Sequence, residues 1–426
     1  MKDVIIKPAR NLVGSIRLPG DKSISHRYAM LAALAEGTTR LRNFSSGGDC
    51  ASTLNCLRSL GVNVARANGE ITITSHGGEL QAPHNPLDCG NSGSTMRMLS
   101  GILAGQPFAA EMIGDESLSR RPMRRVIEPL TQMGAIISSE DGHAPLHIKG
   151  GKLRSIDYKP QVASAQVKSS VLFAGLFSNG ETSVEEPVRT RDHGEMALRA
   201  FGAKISRDKN RVSISGGQQL KAIEAAVPGD ISSAAFFLCA AALFPESNLV
   251  IDSLLLNPTR AVLLDVLTCL GARVRMVQVE EQHGELMGTV AVEAGSLKGI
   301  ALAGAQSAAL IDEIPVLAAI APYTRDGLVV HDARELRVKE SDRIAAVARN
   351  LRAMGATVTE HEDGLTVPGG QRPHGAEIDS EHDHRIAMAF AIAALRAEGD
   401  TLIHGADAAQ ISFPEFFEML EGVLER

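Results

Sequence analysis

The chain has 426 residues, of which 44% are hydrophobic and 22% charged, and its formal net charge at pH 7 is −7. This length suggests two or three domains of ordinary globular composition, with a core that needs neither disulfides nor metals. The negative charge and an aromatic content of 4% without tryptophan argue against a nucleic-acid-binding protein. Any anion site must therefore come from local clusters of Arg and Lys.

Nothing in the sequence indicates a metal centre, a disulfide framework or a membrane segment. The five cysteines are odd in number and form no C-x-x-C pair. The amino-terminal residues lack the long apolar stretch of a signal peptide. The most apolar run, Ala234–Phe244, has 11 residues, whereas a membrane-spanning helix needs about 20. We therefore expect a soluble cytoplasmic protein with reduced thiols.

Five near-copies of one octamer predict a helix that stops at a glycine and is followed at once by a strand. Each has Leu, three residues, Gly and a short segment in which β-branched residues recur. The glycine can adopt the left-handed conformation that closes a helix, and the segment after it favours a strand. In chain order the octamers are Leu57–Val64, Leu130–Ile137, Leu198–Ile205, Leu267–Val274 and Leu351–Val358.

Alanine-rich helices alternate with these octamers and are predicted to end near six further positions. Six stops divide the chain into repeats of about 71 residues, each with helices and strands. Chance recurrence of helix–Gly–strand joins is the weaker alternative, because the octamers are so similar. The six positions are Gly37, Gly105, Gly180, Pro245, Gly327 and Gly399.

A longer-range match predicts a duplication. Leu18–Ser25 (LPGDKSIS) is matched by Val227–Ser233 (VPGDISS), and each copy precedes an Ala-rich apolar helix. Asp or Ser can cap each helix and leave backbone N–H groups facing a ligand. We therefore expect an α/β fold of two similar domains, each of three repeats, with boundaries at the Pro-Gly junctions. The first domain is residues 20–228, and the second is residues 1–19 plus 229–426.

The first candidate anion site lies at a predicted helix start. Lys22, Ser23 and Arg27 place two cations and a hydroxyl beside open backbone N–H groups, which suits a phosphate or carboxylate. The segment is not a P-loop, because Asp21 separates Gly20 from Lys22. A solvated helix end with surface Lys and Arg is the alternative.

Two further segments of the first half concentrate glycines or arginines. Gly90–Arg97 (GNSGSTMR) has glycines that let backbone amides approach a ligand closely, although it also fits a turn before a helix. Ser119–Arg125 (SRRPMRR) places four arginines around a proline that can start a helix. Cations there oppose the helix dipole, so an anion is expected to compensate. A surface patch paired with Glu116 and Glu128 is the alternative.

Later segments carry hydroxyl, amide and carboxylate groups. Ser164 and Gln166 suit a polyol ring or a helix cap. Ile311–Pro315 (IDEIP) and Arg337–Arg343 (RVKESDR) place carboxylates among cations, which can move a carboxyl pKa either way, as acid–base chemistry requires. An exposed helix laced with ion pairs is the alternative for the second of these. Asp383–Ala389 (DHRIAMA) fits an N-cap and a buried helix, and its consecutive acidic and His residues lack metal-site spacing.

Together, the motifs PGDKSISHR (Pro19–Arg27), GNSGSTMR, RVKESDR and DHR (Asp383–Arg385) resemble the signatures of the EPSP synthases in the enolpyruvyl transferase family. The resemblance covers nearly the whole chain. It implies two inside-out α/β barrels of three βαβαββ-type units each, with the substrate cleft between them.

The same resemblance implies transfer of the enolpyruvyl group of phosphoenolpyruvate to the 5-hydroxyl of shikimate 3-phosphate, with release of phosphate and without a cofactor or metal. The expected partners are these two small molecules, with neither nucleic acid nor membrane, and a monomer is expected.

The resemblance also implies roles for individual residues. Asp312 is the expected base, and Glu340 and Lys22 are the proton-transfer candidates at the other carbon. The residues expected to bind shikimate 3-phosphate are Lys22, Ser23, Arg27, Ser164, Gln166, Arg191, Asp312 and Lys339. Those expected to bind phosphoenolpyruvate are Lys22, Asn91, Gly93, Arg121, Gln166, Arg343, His384 and Arg385.

Two positions depart from part of the family. Ala165 stands where some members have a second Ser, and Ile411 stands where some have a Lys that aids phosphoenolpyruvate binding. Sensitivity to the inhibitor glyphosate therefore stays open, although a methyl group at position 93 should crowd it.

Two other functions are compatible with parts of the sequence. The sister transferase acting on UDP-N-acetylglucosamine uses a catalytic cysteine in an Arg-containing loop, and this chain has no Cys between Arg120 and Arg125. A non-catalytic anion-binding module is the other rival. The joint presence of Asp312, Glu340 and Lys22 argues against it.

Overall fold

The computed structural model describes residues 2–426, which form two compact units. The first unit comprises Gly20–Val227 and Gln282–Glu285, and the second comprises the residues up to Pro19, Pro228–Glu281 and Leu286–Arg426. Residues 282–285 were predicted to lie in the second domain. They form a hairpin tip that bonds to residues of the first unit, with Gln282 contacting Ala226 and Glu285 contacting His193.

Helices and strands alternate along the chain. The helices are α1 (Lys22–Ala32), α2 (Gly48–Ser59), α3 (Gly93–Ala104), α4 (Glu116–Ser119), α5 (Arg124–Met133), α6 (Ala165–Gly175), α7 (His193–Ala200), α8 (Ile231–Leu243), α9 (Val262–Leu270), α10 (Ala305–Ala309), α11 (Ile314–Ile320), α12 (Arg343–Ala353), α13 (His384–Ala394) and α14 (Phe416–Glu421). Short 3₁₀ helices cover Ala321–Tyr323, Arg334–Val338 and Ala406–Ile411.

The strands of the first half of the chain are β1 (Val4–Ile6), β2 (Asn11–Arg17), β3 (Ala35–Arg42), β4 (Asn63–Ala67), β5 (Glu70–His76), β6 (Leu87–Asp88), β7 (Ala109–Ile113), β8 (Ile136–Glu140), β9 (His143–Lys149), β10 (Leu153–Arg154), β11 (Asp157–Tyr158), β12 (Ser178–Asn179), β13 (Glu181–Glu185), β14 (Ile205–Asp208), β15 (Arg211–Ser215), β16 (Leu220–Lys221) and β17 (Glu224–Ala226). Those of the second half are β18 (Asn248–Leu255), β19 (Arg273–Gln282), β20 (Glu285–Glu293), β21 (Ile300–Leu302), β22 (Leu328–Val330), β23 (Thr359–His361), β24 (Gly364–Val367), β25 (Glu377–Asp379), β26 (Thr401–His404) and β27 (Leu424–Glu425).

Three sheets of one pattern build the first unit. They have the orders β16-β3-β5-β4, β6-β7-β9-β8 and β11-β13-β15-β14, and β17 also pairs with β3. In each sheet the first pairing is parallel and the next two are antiparallel. In chain order β6-α3-β7-α5-β8-β9 is a βαβαββ repeat, apart from the short α4. The first repeat takes its parallel strands, β16 and β17, from the end of the unit.

The second unit repeats this design. One of its sheets, β21-β22-β24-β23, has the same pattern. The amino-terminal strands complete the other two, because β2 pairs in parallel with β18 and β1 pairs antiparallel with β26. The predicted α/β fold of two similar domains is confirmed. Within residues 2–426, no helix combines the length and apolarity that crossing a bilayer requires.

In all five octamers a helix ends just before the predicted glycine and a strand follows, although the strand after Gly355 begins at Thr359, one residue beyond its octamer. Their glycines follow α2, α5, α7, α9 and α12 and have positive φ angles between 80° and 112°. The structure agrees less well with the six other predicted helix ends. Gly105 caps α3 as predicted, but α1 already ends at Ala32 and Gly37 lies inside β3 with a φ of 107°. That stop was wrong because a glycine marks a positive φ in a strand as readily as at a helix end.

We expect Gly134→Ala and Gly271→Ala to destabilise the protein to different degrees, although both glycines close a helix in equivalent octamers. Their φ angles are 111° and 112°, and a positive φ costs an L-residue about 1–3 kcal/mol. A Cβ at Gly134 would meet Lys152 O at 3.6 Å, whereas one at Gly271 would lie 2.3 Å from Ser296 O. The second variant should lose about 1–3 kcal/mol more. Urea unfolding measures both losses, and equal values would contradict the prediction.

Candidate functional site

Buried helices of the first unit begin at the predicted polar motifs. Asp21 caps α1 by accepting the Ile24 N–H at 2.9 Å, and Ser92 caps α3 by accepting the Thr95 N–H at 3.1 Å. Ser164 caps α6, so the predicted polyol contact is also the helix cap. Such helix starts attract anions, because their first backbone N–H groups have no intrahelical partner.

Arg27 joins two of these helix starts. Its side chain is buried, and its Nε donates to Ser169 Oγ on α6 at 3.1 Å. One terminal nitrogen donates to the Ser23 carbonyl at 2.9 Å, and the other donates to the Ala165 carbonyl at 3.3 Å. These bonds bring two predicted shikimate 3-phosphate residues, Ser23 and Arg27, to the start of α6, where Ser164 and Gln166 lie.

The Arg27 guanidinium is a buried cation. Its pKa is lowered to about 10, chiefly by burial; Glu195 opposes the shift and Arg191 contributes to it. The side chain therefore stays charged at neutral pH, and Arg191 lies within electrostatic reach of it. Both cations suit one phosphate group.

Lys22 has a carboxylate partner that the sequence did not indicate. Its Nζ lies 2.8 Å from Asp49 Oδ2, with the lysine side chain 19% exposed. Asp49 is on α2, so this pair forms only when α1 and α2 pack together.

A second group of predicted residues gathers around the start of α3. Arg121 donates to Asn91 Oδ1 at 2.7 Å, and Arg97 donates to Gln166 Oε1 at 2.8 Å. An added Cβ at Gly93 would lie 3.0 Å from a terminal nitrogen of Arg97 and 3.5 Å from one of Arg121. Gly93 therefore lies between two contacting pairs, Arg97 with Gln166 and Arg121 with Asn91.

Arg97 and Ser94 were missed as site residues. Gln166 Nε2 donates to Ser94 Oγ at 2.8 Å, so its amide is held at both ends. A signal for Arg97 was present, because it follows Gly93 by four residues and side chains at that spacing share one helix face.

Asp312 is the centre of the second unit's predicted residues. Its Oδ1 lies 3.4 Å from Arg343, 3.7 Å from Lys339 and 3.9 Å from Arg385. Arg385 also donates to the Asp312 carbonyl at 2.9 Å. Burial lowers the pKa of Lys339, which Asp312 opposes and Arg343 reinforces. The predicted base thus stands among three predicted cations.

Arg343 is engaged by carboxylates on several sides. It binds Asp383 through two nitrogens at 2.8 and 3.2 Å and Glu340 at 2.6 Å. Although burial opposes it, the charges of Asp383 and Glu340 raise the pKa of Arg343. Its side chain is 1% exposed and α12 begins at this residue. The alternative of an exposed helix over Lys339–Arg343 was therefore wrong.

The last predicted motif is a capped helix start. Asp383 caps α13 by accepting the Arg385 N–H at 2.9 Å, and His384 next to it is buried. All six predicted residues of the second unit therefore lie in or beside one cluster. Within residues 2–426, no three His, Cys, Asp or Glu side chains are grouped so that they could hold a metal ion.

Comparison with known proteins places the sequence in a family. The sequence profile described as "EPSP synthase (3-phosphoshikimate 1-carboxyvinyltransferase)" matches residues 6–420. The chain belongs to the EPSP synthase family. The family resemblance inferred from the motifs is thus confirmed.

Individual EPSP synthases resemble the chain over its whole length. The 3-phosphoshikimate 1-carboxyvinyltransferase of Koribacter versatilis (strain Ellin345) is 63% identical, and the alignment covers 100% of both chains. That of Solibacter usitatus (strain Ellin6076) is 55% identical over 99% of this chain and 100% of the relative. The solved EPSP synthase structure from Acinetobacter baumannii has a TM-score of 0.88 at 42% identity and covers 99% of this chain and 98% of that one.

We expect Asp383→Asn to destabilise this EPSP synthase family member at neutral pH and less so in acid. Burial alone would raise the pKa of Asp383, but the charge and hydrogen bonds of Arg343 bring it below its ordinary value. Such a carboxyl stabilises the fold above its unfolded pKa, and the contribution is lost as pH falls through the folded value. The loss at pH 7 should be about 3–5 kcal/mol.

Urea unfolding of wild type and variant, measured from pH 7 down to below about 4, checks this prediction. The difference between their free energies of unfolding should become smaller at the acid end. Asp326→Asn is the matched control. A hydrogen bond from Arg325 lowers the pKa of Asp326, but both side chains are exposed, so little change is expected. If the free energy of unfolding of the Asp383 variant differed from that of wild type by the same amount at every pH, the lowered pKa of Asp383 would be refuted.

Proposed function

We propose that this protein transfers the enolpyruvyl group of phosphoenolpyruvate to the 5-hydroxyl of shikimate 3-phosphate and releases phosphate, as a step of the shikimate pathway that leads to chorismate and aromatic amino acids. The observation that carries the proposal is the cluster around Asp312, a carboxylate with three cations within 3.9 Å. Membership of the EPSP synthase family supports it. We further propose that the enzyme works as a cytoplasmic monomer.

Substrate binding is proposed for the helix starts of the first unit. Arg27, Arg191 and Lys22 would hold the phosphate of shikimate 3-phosphate, while Ser164 and Gln166 bond its hydroxyls. Arg121, Asn91 and Gly93 would hold phosphoenolpyruvate, with Arg97 as an addition. This division is supported by the geometry, because Arg27 contacts the start of α6 and Arg121 contacts the loop before α3.

Proton transfer is proposed for the second unit together with Lys22. Asp312 would take the proton of the 5-hydroxyl as its oxygen attacks the enol carbon of phosphoenolpyruvate. Glu340 or Lys22 would protonate the methylene carbon, which gives a tetrahedral ketal. Loss of a methyl proton and of phosphate then leaves the enolpyruvyl ether. Charge on the carboxylate and phosphate would be stabilised by Arg121, Arg343 and Arg385.

Arg343 and Arg385 differ in their fitness for anion binding. Arg343 already contacts Asp312, Glu340 and Asp383. Arg385 is held mainly through the Asp312 carbonyl, with the carboxylate of that residue at 3.9 Å. An incoming carboxylate would therefore displace fewer contacts at Arg385. We propose that Arg385 binds phosphoenolpyruvate directly and that Arg343 mainly orders the carboxylates.

Phosphate release by the purified protein tests the proposed function. We expect release only when phosphoenolpyruvate and shikimate 3-phosphate are both present. Release with UDP-N-acetylglucosamine in place of shikimate 3-phosphate would favour the sister transferase. Binding of both substrates without release would favour a non-catalytic module.

We expect Asp312→Asn to lower kcat by about 10²- to 10⁴-fold, the usual worth of a general base. Shikimate 3-phosphate binding should change only a few-fold, because Arg27, Ser164 and Gln166 are untouched. Phosphate release gives kcat and titration calorimetry gives the dissociation constant. The matched control is Asp326→Asn, an exposed aspartate of the same unit, which should retain full activity. Full turnover by Asp312→Asn would reject its role as the base.

A further inference from the structure

The hairpin β19–β20 carries a tip that leaves the second unit. Its two turn residues, His283 and Gly284, have φ angles of 53° and 84°. Positive φ at both positions is typical of a two-residue type I′ turn. The chain enters the first unit at Gln282 and leaves it at Glu285, so four residues make this excursion.

The tip is anchored by specific bonds. Gln282 Oε1 accepts the Ala226 N–H at 2.8 Å, and His283 Nε2 lies 3.0 Å from the Glu224 carbonyl oxygen. These bonds hold the turn against β17. They involve exposed or half-buried groups and account for the position of the turn.

Glu285 makes a fully buried polar contact at the tip. It is 1% exposed, as is His193, and its Oε1 lies 2.7 Å from His193 Nδ1. An ionised carboxylate only accepts hydrogen bonds, so Nδ1 carries the proton. A buried carboxylate is costly unless paired, and this one is not needed for the β19–β20 ladder. Neither the turn contacts nor the strand pairing therefore explains why the Glu285 carboxylate is buried.

The pair lies directly behind the residues proposed to bind the shikimate phosphate. His193 is the first residue of α7 and follows Arg191 by two positions. An added Cβ at Gly194 would lie 2.7 Å from Ser169 Oγ and 3.6 Å from Arg27 Nε. The start of α7 thus touches the Arg27–Ser169 contact.

The charge of Glu285 also acts on this site. Burial lowers the pKa of Arg27, and Glu285 is among the carboxylates that oppose the shift. Geometry and charge agree that the hairpin tip reaches the back of the phosphate site.

We propose that Glu285 and His193 are positioning residues for shikimate 3-phosphate. Their hydrogen bond fixes the start of α7 and thereby the placement of Arg191 and of the Arg27–Ser169 contact. This inference rests on the proposed function, because it takes that phosphate as the ligand. Since linkage is reciprocal, the bound ligand should in turn hold the tip in place.

Glu285→Ala should weaken shikimate 3-phosphate binding about tenfold, the loss expected when one buried hydrogen-bonding partner is removed. The values of kcat and of KM for phosphoenolpyruvate should stay within about twofold of wild type. Glu285→Gln should recover most of the affinity, because its amide oxygen can still accept from His193. Calorimetry gives the affinity and phosphate release gives the kinetic constants.

The matched control is Gln282→Ala, which breaks a tip contact that does not involve His193. It should leave shikimate 3-phosphate affinity unchanged. His193→Asn should resemble wild type more than His193→Ala does, because an amide N–H can take the place of Nδ1–H. In the double variant Glu285→Ala/His193→Ala, the loss of binding free energy for shikimate 3-phosphate should not exceed the sum of the losses in the two single variants.

The outcomes separate the two proposals. If wild type binds shikimate 3-phosphate and Glu285→Ala binds it equally well, the positioning role is wrong and the proposed function stands. If Glu285→Ala and Gln282→Ala lose affinity alike, the tip is merely structural and the inference is overturned. If wild type does not bind shikimate 3-phosphate at all, the proposed function itself fails.

Discussion

A buried cation beside the start of a helix is the constraint on which both clusters depend. The helix dipole and the loss of water both disfavour such a charge. Arg343 meets the constraint with carboxylates from Glu340 and Asp383. Arg27 meets it differently, because its hydrogen bonds within the described chain go to a hydroxyl and two carbonyl oxygens. None of these partners is a carboxylate, and carboxylates such as Glu195 act on the guanidinium only through their charge. A bound phosphate would add an anion in direct contact with it.

The duplicated scaffold carries different chemistry in its two copies. Asp21 and Asp230 cap equivalent helices, α1 and α8. After the first cap come Lys22, Ser23 and Arg27, which are polar. After the second, Ser232 contacts Glu313, and Glu313 lies 3.3 Å from Arg260 with both of these charged side chains buried. The same helix start thus carries cations in one unit and anchors the segment next to Asp312 in the other.

Local patterns predicted most of the fold and several of the helix caps near the candidate site. The octamer glycines and the caps Asp21, Ser164 and Asp383 depend on neighbours within a few positions, and the structure bears them out. The excursion of Gln282–Glu285 could not be predicted in this way. It depends on contacts between residues far apart in the chain, such as Gln282 with Ala226 and Glu285 with His193, and no periodicity marks such pairs.

Burial was the other quantity that the sequence did not supply. Composition made Lys339–Arg343 look like an exposed helix laced with ion pairs, yet Arg343 is 1% exposed. The guanidinium could be buried only because Asp383, 40 residues later, caps α13 and faces it. The pairing of Lys22 with Asp49 has the same origin, since it requires α1 and α2 to pack. A residue's partners come from tertiary packing even where its type is apparent in the sequence.

The two clusters also differ in charge balance, and this difference supports the different roles proposed for them. In the second unit the cations Lys339, Arg343 and Arg385 face the carboxylates Asp312, Glu340 and Asp383. A balanced set of this kind suits proton transfer, because a group that gains or loses one proton still has a neighbour of opposite charge. In the first unit Arg27 instead donates to a hydroxyl and two carbonyl oxygens, which carry no net charge. Such a cation suits the binding of an anionic group rather than proton transfer.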